Sequence, residues 1–245
     1  TLIQLLDNNG QFKGITIMIK SIEETVELKK KLEQEKLNTK QLLSVLVPSA
    51  AMNSVKGKKT PVLYKAEIAT VMFVEITGIS ECISMMSPKG LMDILEQIYE
   101  CINEALKKFD SVSMMRWENE MMFAVSGLFS HVGDYGRQAS DTISFLLEIT
   151  RQLEEINIQV STDFHFRLGA HIGGPVMGFV QNPDVPCFNI RTASFTYLNH
   201  MKETDCVDQV QATASTVKYL DANVFEATKN STFEFEDGSE DVYTV

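Results

Sequence analysis

Apolar residues open the chain in two short strings, Leu2 to Leu6 and Phe12 to Ile19, separated by Asp7-Asn8-Asn9-Gly10. This predicts a hairpin, with Asn-Gly supplying the positive φ values of a tight turn. Two strands cannot bury a face alone, so they are expected to complete some other domain. From Glu23 to Val47 there is no glycine or proline and helix formers dominate. Leu28, Leu32, Leu42 and Leu46 fall on a ladder of steps of four and three whose intervening rungs are Glu35 and Thr39. A seam with two polar rungs reads either as a short coiled coil that needs a partner helix or as a surface helix packed on its own domain. Pro48 ends it.

Gly57 to Pro61 reads as a linker, and a larger domain is expected from about residue 63 to the end. Ile68 to Val74 is an apolar strand with few polar interruptions, as for a central strand covered on both faces. Ser87-Pro88 opens a long helix in which Leu91, Ile94, Leu95, Ile98, Ile102, Ala105, Leu106 and Phe109 repeat at three and four, a stripe that covers a sheet face. Ser111 to Met115 and Met121 to Val125 bracket the polar Trp117-Glu118-Asn119-Glu120, a hairpin. A second amphipathic helix is expected over Tyr135 to Leu153, then strands over Phe164 to His171 and Val176 to Val180. A short helix near Ser194 to Lys202, a strand over Gln209 to Thr213, a helix over Ser215 to Leu220 and a hairpin around Asp237-Gly238 complete the order. The order predicts an α+β fold of the ferredoxin-like split βαβ kind, a mostly antiparallel sheet with helices on one face, preceded by a long helix.

With 245 residues, 44% of them apolar, the chain has enough material for one well-buried core, which excludes a mainly disordered reading. A net charge of -11 disfavours nucleic acid as a partner, since a phosphate-reading surface needs a basic patch. The concentrated basic runs, Lys29 to Lys31 and Lys56, Lys58, Lys59, sit at linker-like positions. Cys82, Cys101, Cys187 and Cys206 show no CxxC spacing and suit buried thiols in a reducing compartment. No apolar run approaches the length of a membrane span, and TLIQLLDNNG is not a signal peptide. A chain that opens at Thr1 partway into a strand is expected to belong to something longer, whose cytoplasmic part it forms whether or not the parent is membrane-anchored.

Four motifs then fall in order: FVEITGIS (Phe73 to Ser80), WENEMMFAVSG (Trp117 to Gly127), RLGAHIGGPVMG (Arg167 to Gly178) and PCFNIRTASFTYLNHM (Pro186 to Met201). On these, residues 63–245 resemble the class III adenylyl and guanylyl cyclase homology domain. The segments match, in turn, its first metal motif, its second metal motif, its R-I-G-I-H-x-G-x-V-x-x-G strand pair and the stretch carrying base-reading and transition-state residues. More weakly, residues 1–20 with the following SIEE resemble the last hairpin of a PAS sensor domain, leaving residues 21–62 as signalling helix and linker.

The resemblance implies conversion of a nucleoside triphosphate to a cyclic 3',5'-monophosphate at a dimer interface, with two aspartates holding two magnesium ions and with cationic side chains around the phosphates. Glu75 takes the first metal position and Glu120 the second; each keeps a carboxylate but adds a methylene, and magnesium demands tight octahedral distances. Arg116 stands at the base-selecting lysine or glutamate and Asn189 at its partner aspartate or cysteine, a pair that matches neither the adenine nor the guanine combination. Thr196 takes the place of the ribose-orienting asparagine. His200 replaces the transition-state arginine with an imidazole that lacks the fork and permanent charge of a guanidinium. Thr192 and Ala193 replace the turn before them. Where the family has its phosphate-binding lysine, the chain reads Glu236-Asp237-Gly238-Ser239-Glu240-Asp241, an acidic turn that would repel a triphosphate. His171 takes the family's structural histidine position, whereas His131 and His165 show no partners at ligand spacing. Phe73, Phe123, Phe166, Met72, Met121 and Met122 read as core, Trp117 as a hairpin cap or a partner contact, and Gly173, Gly174 and Gly178 as close-approach positions.

The expectation is therefore a catalytically inactive cyclase-like domain that serves for dimerisation, regulation or scaffolding. Its protein partner would dock on the cyclase-type dimer face and the 21–47 helix, or within a large structural assembly. No cofactor is expected, and Mg or Mn with ATP or GTP only if nucleotide binding survives. The alternative is the metal-bearing half of a heterodimeric cyclase.

Overall fold

The computed structural model describes residues 2–6, 8–17, 23–55, 62–118, 120–180, 187–235 and 238–245. The expectations placed on Asp7, Met18-Ile19, Ser21-Ile22, the linker with Lys56, Lys58 and Lys59, Asn119, Pro186, Glu236 and Asp237 lie outside these residues. The chain divides into two units, Thr1–Leu43 and Ser44–Val245.

In the first unit β1 (Leu2–Leu6) pairs antiparallel with β2 (Phe12–Ile17), with a register shift between Leu5 and Leu6. The hairpin is present, but not as a two-residue Asn-Gly turn: Leu6 pairs with Phe12, and among the described turn residues only Gly10 takes a positive φ, +78°. Helix α1 (Glu23–Leu46) follows, with Leu28 and Leu32 60% and 51% exposed.

The second unit runs α2 (Ser49–Val55), β3 (Val62–Ala66), β4 (Ala69–Thr77), α3 (Ile79–Met85), α4 (Pro88–Lys108), β5 (Val112–Glu118), β6 (Met121–Ser126), α5 (Tyr135–Val160), β7 (His165–Gly173), β8 (Val176–Val180), β9 (Phe188–Arg191), α6 (Ser194–Lys202), β10 (Val210–Thr213), α7 (Ala214–Val217), β11 (Thr228–Phe235) and β12 (Gly238–Thr244). The main sheet has the order β11-β12-β10-β7-β4-β6-β5, antiparallel except for the β10–β7 pair. Its β7-β4-β6-β5 portion, with crossover helices α4 and α5, is the split βαβ core. A smaller antiparallel sheet has the order β3-β8-β9.

β4 is the central strand, and its alternation divides the core. Met72, Val74 and Ile76 meet Ile94, Ile98 and Ile102 of α4 and Ile143, Leu146 and Ile149 of α5. Val71 and Phe73 meet Leu198 and Met201 of α6 together with the small sheet. Full burial of side chains of this size contributes roughly 1.5–3 kcal/mol each. The helix starts follow the sequence cues: Ser87 Oγ accepts from Gly90 N at 3.1 Å ahead of Pro88, and Asp134 Oδ1 accepts from Arg137 N at 3.1 Å. Glu148 of α5 is held by Arg151 one turn along the same helix and by Lys108 across from α4, and hydrogen bonds from these cations pull its carboxyl down to about 2.

Several packing expectations change. Phe73, Phe166, Met72 and Met122 are buried, but Phe123 and Met121 are only half-buried. Trp117 packs edge-on against Tyr99 of α4 at 4.7 Å and so joins the core. His165 has a partner that spacing conceals: its Nδ1 lies 2.5 Å from Asp208 Oδ2, and this bond raises its pKa. A Cβ on Gly174 would lie 1.8 Å from the Glu67 carbonyl oxygen, and one on Gly178 would lie 2.4 Å from the Phe188 ring.

His171, 6% exposed, stacks on Tyr197 at 4.1 Å and bonds Thr213 Oγ1 through Nδ1 at 2.9 Å. Burial pushes its imidazole from the usual 6.5 down to about 4. The folded protein thus keeps it neutral while the unfolded chain protonates it, so its contribution is complete above pH 6.5 and is lost as pH falls toward 4. Between pH 7 and 4 the wild type should lose about 2–3 kcal/mol more stability than His171→Gln. Denaturant midpoints of the two proteins at the two pH values check this.

Candidate functional site

The cleft lies on the α6 face of the main sheet. Strand alternation sends Val71, Phe73 and Glu75 to this face, and α6 crosses it, fixed by the buried Leu198 and Met201. Gln211 Nε2 donates to the Met201 carbonyl at 3.0 Å and locks the end of that helix to β10. Three stripes of α6 then serve three different surfaces.

Phe195 and Asn199 line a cavity of about 250 Å³ together with Met115, Arg116, Phe123, Phe188, Asn189 and Ile190. The structure therefore brings Arg116 and Asn189, 73 positions apart in sequence, to one pocket. Neither donor set is fully free: Arg116 pairs with Glu118, and Asn189 Nδ2 donates to the Cys187 carbonyl at 3.2 Å. Phe123 meets Phe195 edge-on at 5.4 Å, so the pocket walls are chiefly apolar.

Tyr197 and His200 face the edge strand β11. The His200 ring lies 5.1 Å from Phe233 and 5.3 Å from Phe235, and Tyr197 meets Phe235 at 4.8 Å. Thr196 is exposed on the same helix, and neither it nor His200 lines the Arg116 pocket. The acidic segment before the C-terminus is partly engaged internally. Glu240 Oε1 accepts from Ser215 N at 2.9 Å and Ser215 Oγ at 2.7 Å. Asp241, hydrogen-bonded by Lys229 and Thr232, has its carboxyl held below the usual range. These two acids act as structural acceptors, a role that the sequence reading did not assign.

Glu75, at the end of β4, stands opposite Arg167 of β7 in register. Its Oε1 lies 3.1 Å from Lys202 Nζ, and its Oε2 lies 3.8 Å from Arg167 Nη1. Glu120 is exposed in the β5–β6 turn, where its carbonyl accepts from Ile76 N at 2.8 Å. The turn thus closes on the end of β4. The donor set does not fit a divalent ion: the one half-buried carboxylate is already matched by two cations. Among the described residues, no group of three or more His, Cys, Asp or Glu is placed to hold one. Sequence reasoning missed Lys202, Asn199, Phe233 and Phe235; the heptad-like spacing Phe195, Asn199, Lys202 is the signal that could have found the first two.

Beside Glu75, Gly78 begins α3 with φ +90°, and a Cβ there would sit 2.9 Å from the Asp163 carbonyl oxygen. Gly78→Ala should cost about 1–3 kcal/mol. Arg116→Ala, whose ion pair is exposed on both sides, should stay within about 0.5 kcal/mol of wild type. Paired urea melts of the two variants distinguish a backbone constraint from a dispensable surface pair.

Residues 62–245 match the model of the adenylate and guanylate cyclase catalytic domain. A membrane guanylyl cyclase of Dictyostelium discoideum is 22% identical over 189 residues, covering 77% of this chain and 12% of that protein. Human retinal guanylyl cyclase 2 is 24% identical over 197 residues, covering 77% and 17%. Among solved structures, the guanylate cyclase domain of RhGC from Catenaria anguillulae, in complex with GTP, superposes with a TM-score of 0.63 at 20% identity, over 74% of this chain and 96% of that one. A bacterial light-regulated adenylyl cyclase superposes with a TM-score of 0.68 at 12% identity, over 92% of this chain and 66% of that one. At these identities the structures show a shared fold. The chain spans 12–17% of the length of these two curated relatives.

Proposed function

Residues 62–245 belong to the adenylate and guanylate cyclase catalytic domain family, and we propose that this member is catalytically inactive and serves as a dimerisation, regulatory or scaffold module. The observation that carries the reading is at His200. At the position that the sequence resemblance assigns to the family's transition-state arginine stands an imidazole whose ring is packed against Phe233 and Phe235. A developing phosphoryl charge needs preorganised cationic donors aimed at it, and removing one such donor typically costs 100-fold or more in rate. Thr196 in place of asparagine, and Glu240 and Asp241 close to where the family has its lysine, lower the supply of donors further.

On this reading residues 1–20 are the end of a PAS-like domain, residues 21–62 a signalling helix and linker, and the remainder the pseudo-cyclase. The likeness in fold to the light-regulated adenylyl cyclase covers more of the chain than residues 62–245. The partner is a second cyclase-type domain, met through the sheet-and-α6 face and through the exposed Leu28, Leu32 and Leu46 stripe of α1. No described helix is long and apolar enough to cross a membrane.

The full chain, incubated with ATP or GTP and either Mg or Mn, should yield no cyclic nucleotide above a protein-free blank. Calorimetric titration with non-hydrolysable analogues should give no heat above dilution. Product from the chain alone would overturn the reading. Product only after mixing with a cyclase domain that supplies arginine and lysine would establish the metal-bearing half of a heterodimer instead.

A further inference from the structure

Glu75 is a carboxylate in a largely covered place, its side chain 15% exposed at the end of a strand that is otherwise buried on both faces. A charge so placed needs a counter-charge, or it neutralises. Three features define how it is met. Lys202, the last residue of α6, brings its ammonium to 3.1 Å from Oε1. Arg167, across the β4–β7 ladder, brings its guanidinium to 3.8 Å from Oε2. Oε2 itself, and the Nε of Arg167, are buried without a hydrogen bond. The arrangement is thus matched in charge but not saturated in hydrogen bonds.

We propose that the Lys202 ammonium holds the place of a divalent cation at Glu75, so that the resident cation of this cleft belongs to the chain itself. The inference rests on the reading of the domain as an inactive cyclase and deepens it, because it names what fills the first metal position. The ammonium is a compact point charge on a flexible stem, suited to stand in for an ion at a single carboxylate oxygen. A divalent ion and Lys202 exclude each other there. Magnesium and manganese take oxygen ligands in near-octahedral array at about 2.0–2.2 Å, so an incoming ion must expel the ammonium and still faces the Arg167 guanidinium behind Oε2. Lys202 follows Phe195 and Asn199 at helical spacing on α6, so the helix that lines the Arg116 cavity also supplies the cation at Glu75.

The test is a Mn²⁺ titration of the full chain without nucleotide, followed by the paramagnetic resonance signal of free Mn²⁺. Lys202→Met keeps the length of the stem and removes the charge, Lys202→Arg keeps the charge, and Glu75→Gln removes the ligand. Wild type and Lys202→Arg should bind no Mn²⁺ at micromolar concentration. Lys202→Met should gain at least about tenfold in Mn²⁺ affinity, and adding Glu75→Gln to it should abolish the gain. A Lys202→Met protein that titrates like wild type would overturn the proposal. So would micromolar Mn²⁺ binding by the wild type that Glu75→Gln removes, a result that does not depend on how well the lysine variant folds. Mn²⁺ at Glu75 without any cyclic product would sink this inference alone, whereas cyclic product from the wild type would sink the inactive reading.

Discussion

The register of β4 between β6 and β7 is the constraint on which the rest of the second unit depends. The strand is hydrogen-bonded on both sides and covered on both faces, so its alternation cannot slip without sending the whole set of side chains to the wrong layer. Met72, Val74 and Ile76 are thereby committed to α4 and α5, and Val71, Phe73 and Glu75 to α6. The same ladder sets Arg167 directly opposite Glu75. A charged side chain near the end of an apolar strand is tolerated because the neighbouring strand and the crossing helix both offer cations at that level.

Helix α6 converts that fixed face into a site by dividing its own surface. Ser194, Leu198 and Met201 bury against the sheet; Phe195, Asn199 and Lys202 follow the cleft; Tyr197 and His200 turn to the β11 edge strand. Residues adjacent in sequence therefore act on different surfaces. Arg116 and Asn189, far apart in sequence, share one cavity, while Asn189 and His200, eleven positions apart, do not. The aromatic contacts of His200 with Phe233 and Phe235 give the C-terminal hairpin a packing role on this helix.

Much of this was legible in the sequence wherever a period longer than one turn repeated. The stripe from Leu91 to Phe109 gave α4 to within a residue or two, the two polar-bracketed runs gave β5 and β6, and the order of elements gave the α+β class. The short elements α2, α3, β3 and β9 escaped because four to seven residues hold too little periodicity to separate a strand or helix from a loop. Helix α5 runs to Val160, beyond the predicted Leu153, because the final turns carry exposed Ile158 and lose the stripe. In the site, the motifs singled out Arg116 and Asn189, which line one cavity. Neither motif nor local pattern could give the pairing of Lys202 with Glu75 or the His165–Asp208 bond, since each joins residues far apart in sequence.

On the proposal that Lys202 stands in for a cation, an acid at Glu75 is no measure of metal chemistry. A covered carboxylate persists comfortably if anything positive is held beside it, and a lysine meets that need as well as an ion does. Two unit charges about 4 Å apart interact by roughly 4 kcal/mol at an effective dielectric of 20, before salt and partial exposure reduce it, and a divalent ion beside the same ammonium would feel about twice that as repulsion. The two ways of satisfying Glu75 are thus alternatives. Once Lys202 is in place the acid and the lysine depend on each other, because removing either leaves the other's charge in a cleft built to match it. The fold can then keep its central register and its pocket whether the charge beside Glu75 is a lysine or an ion.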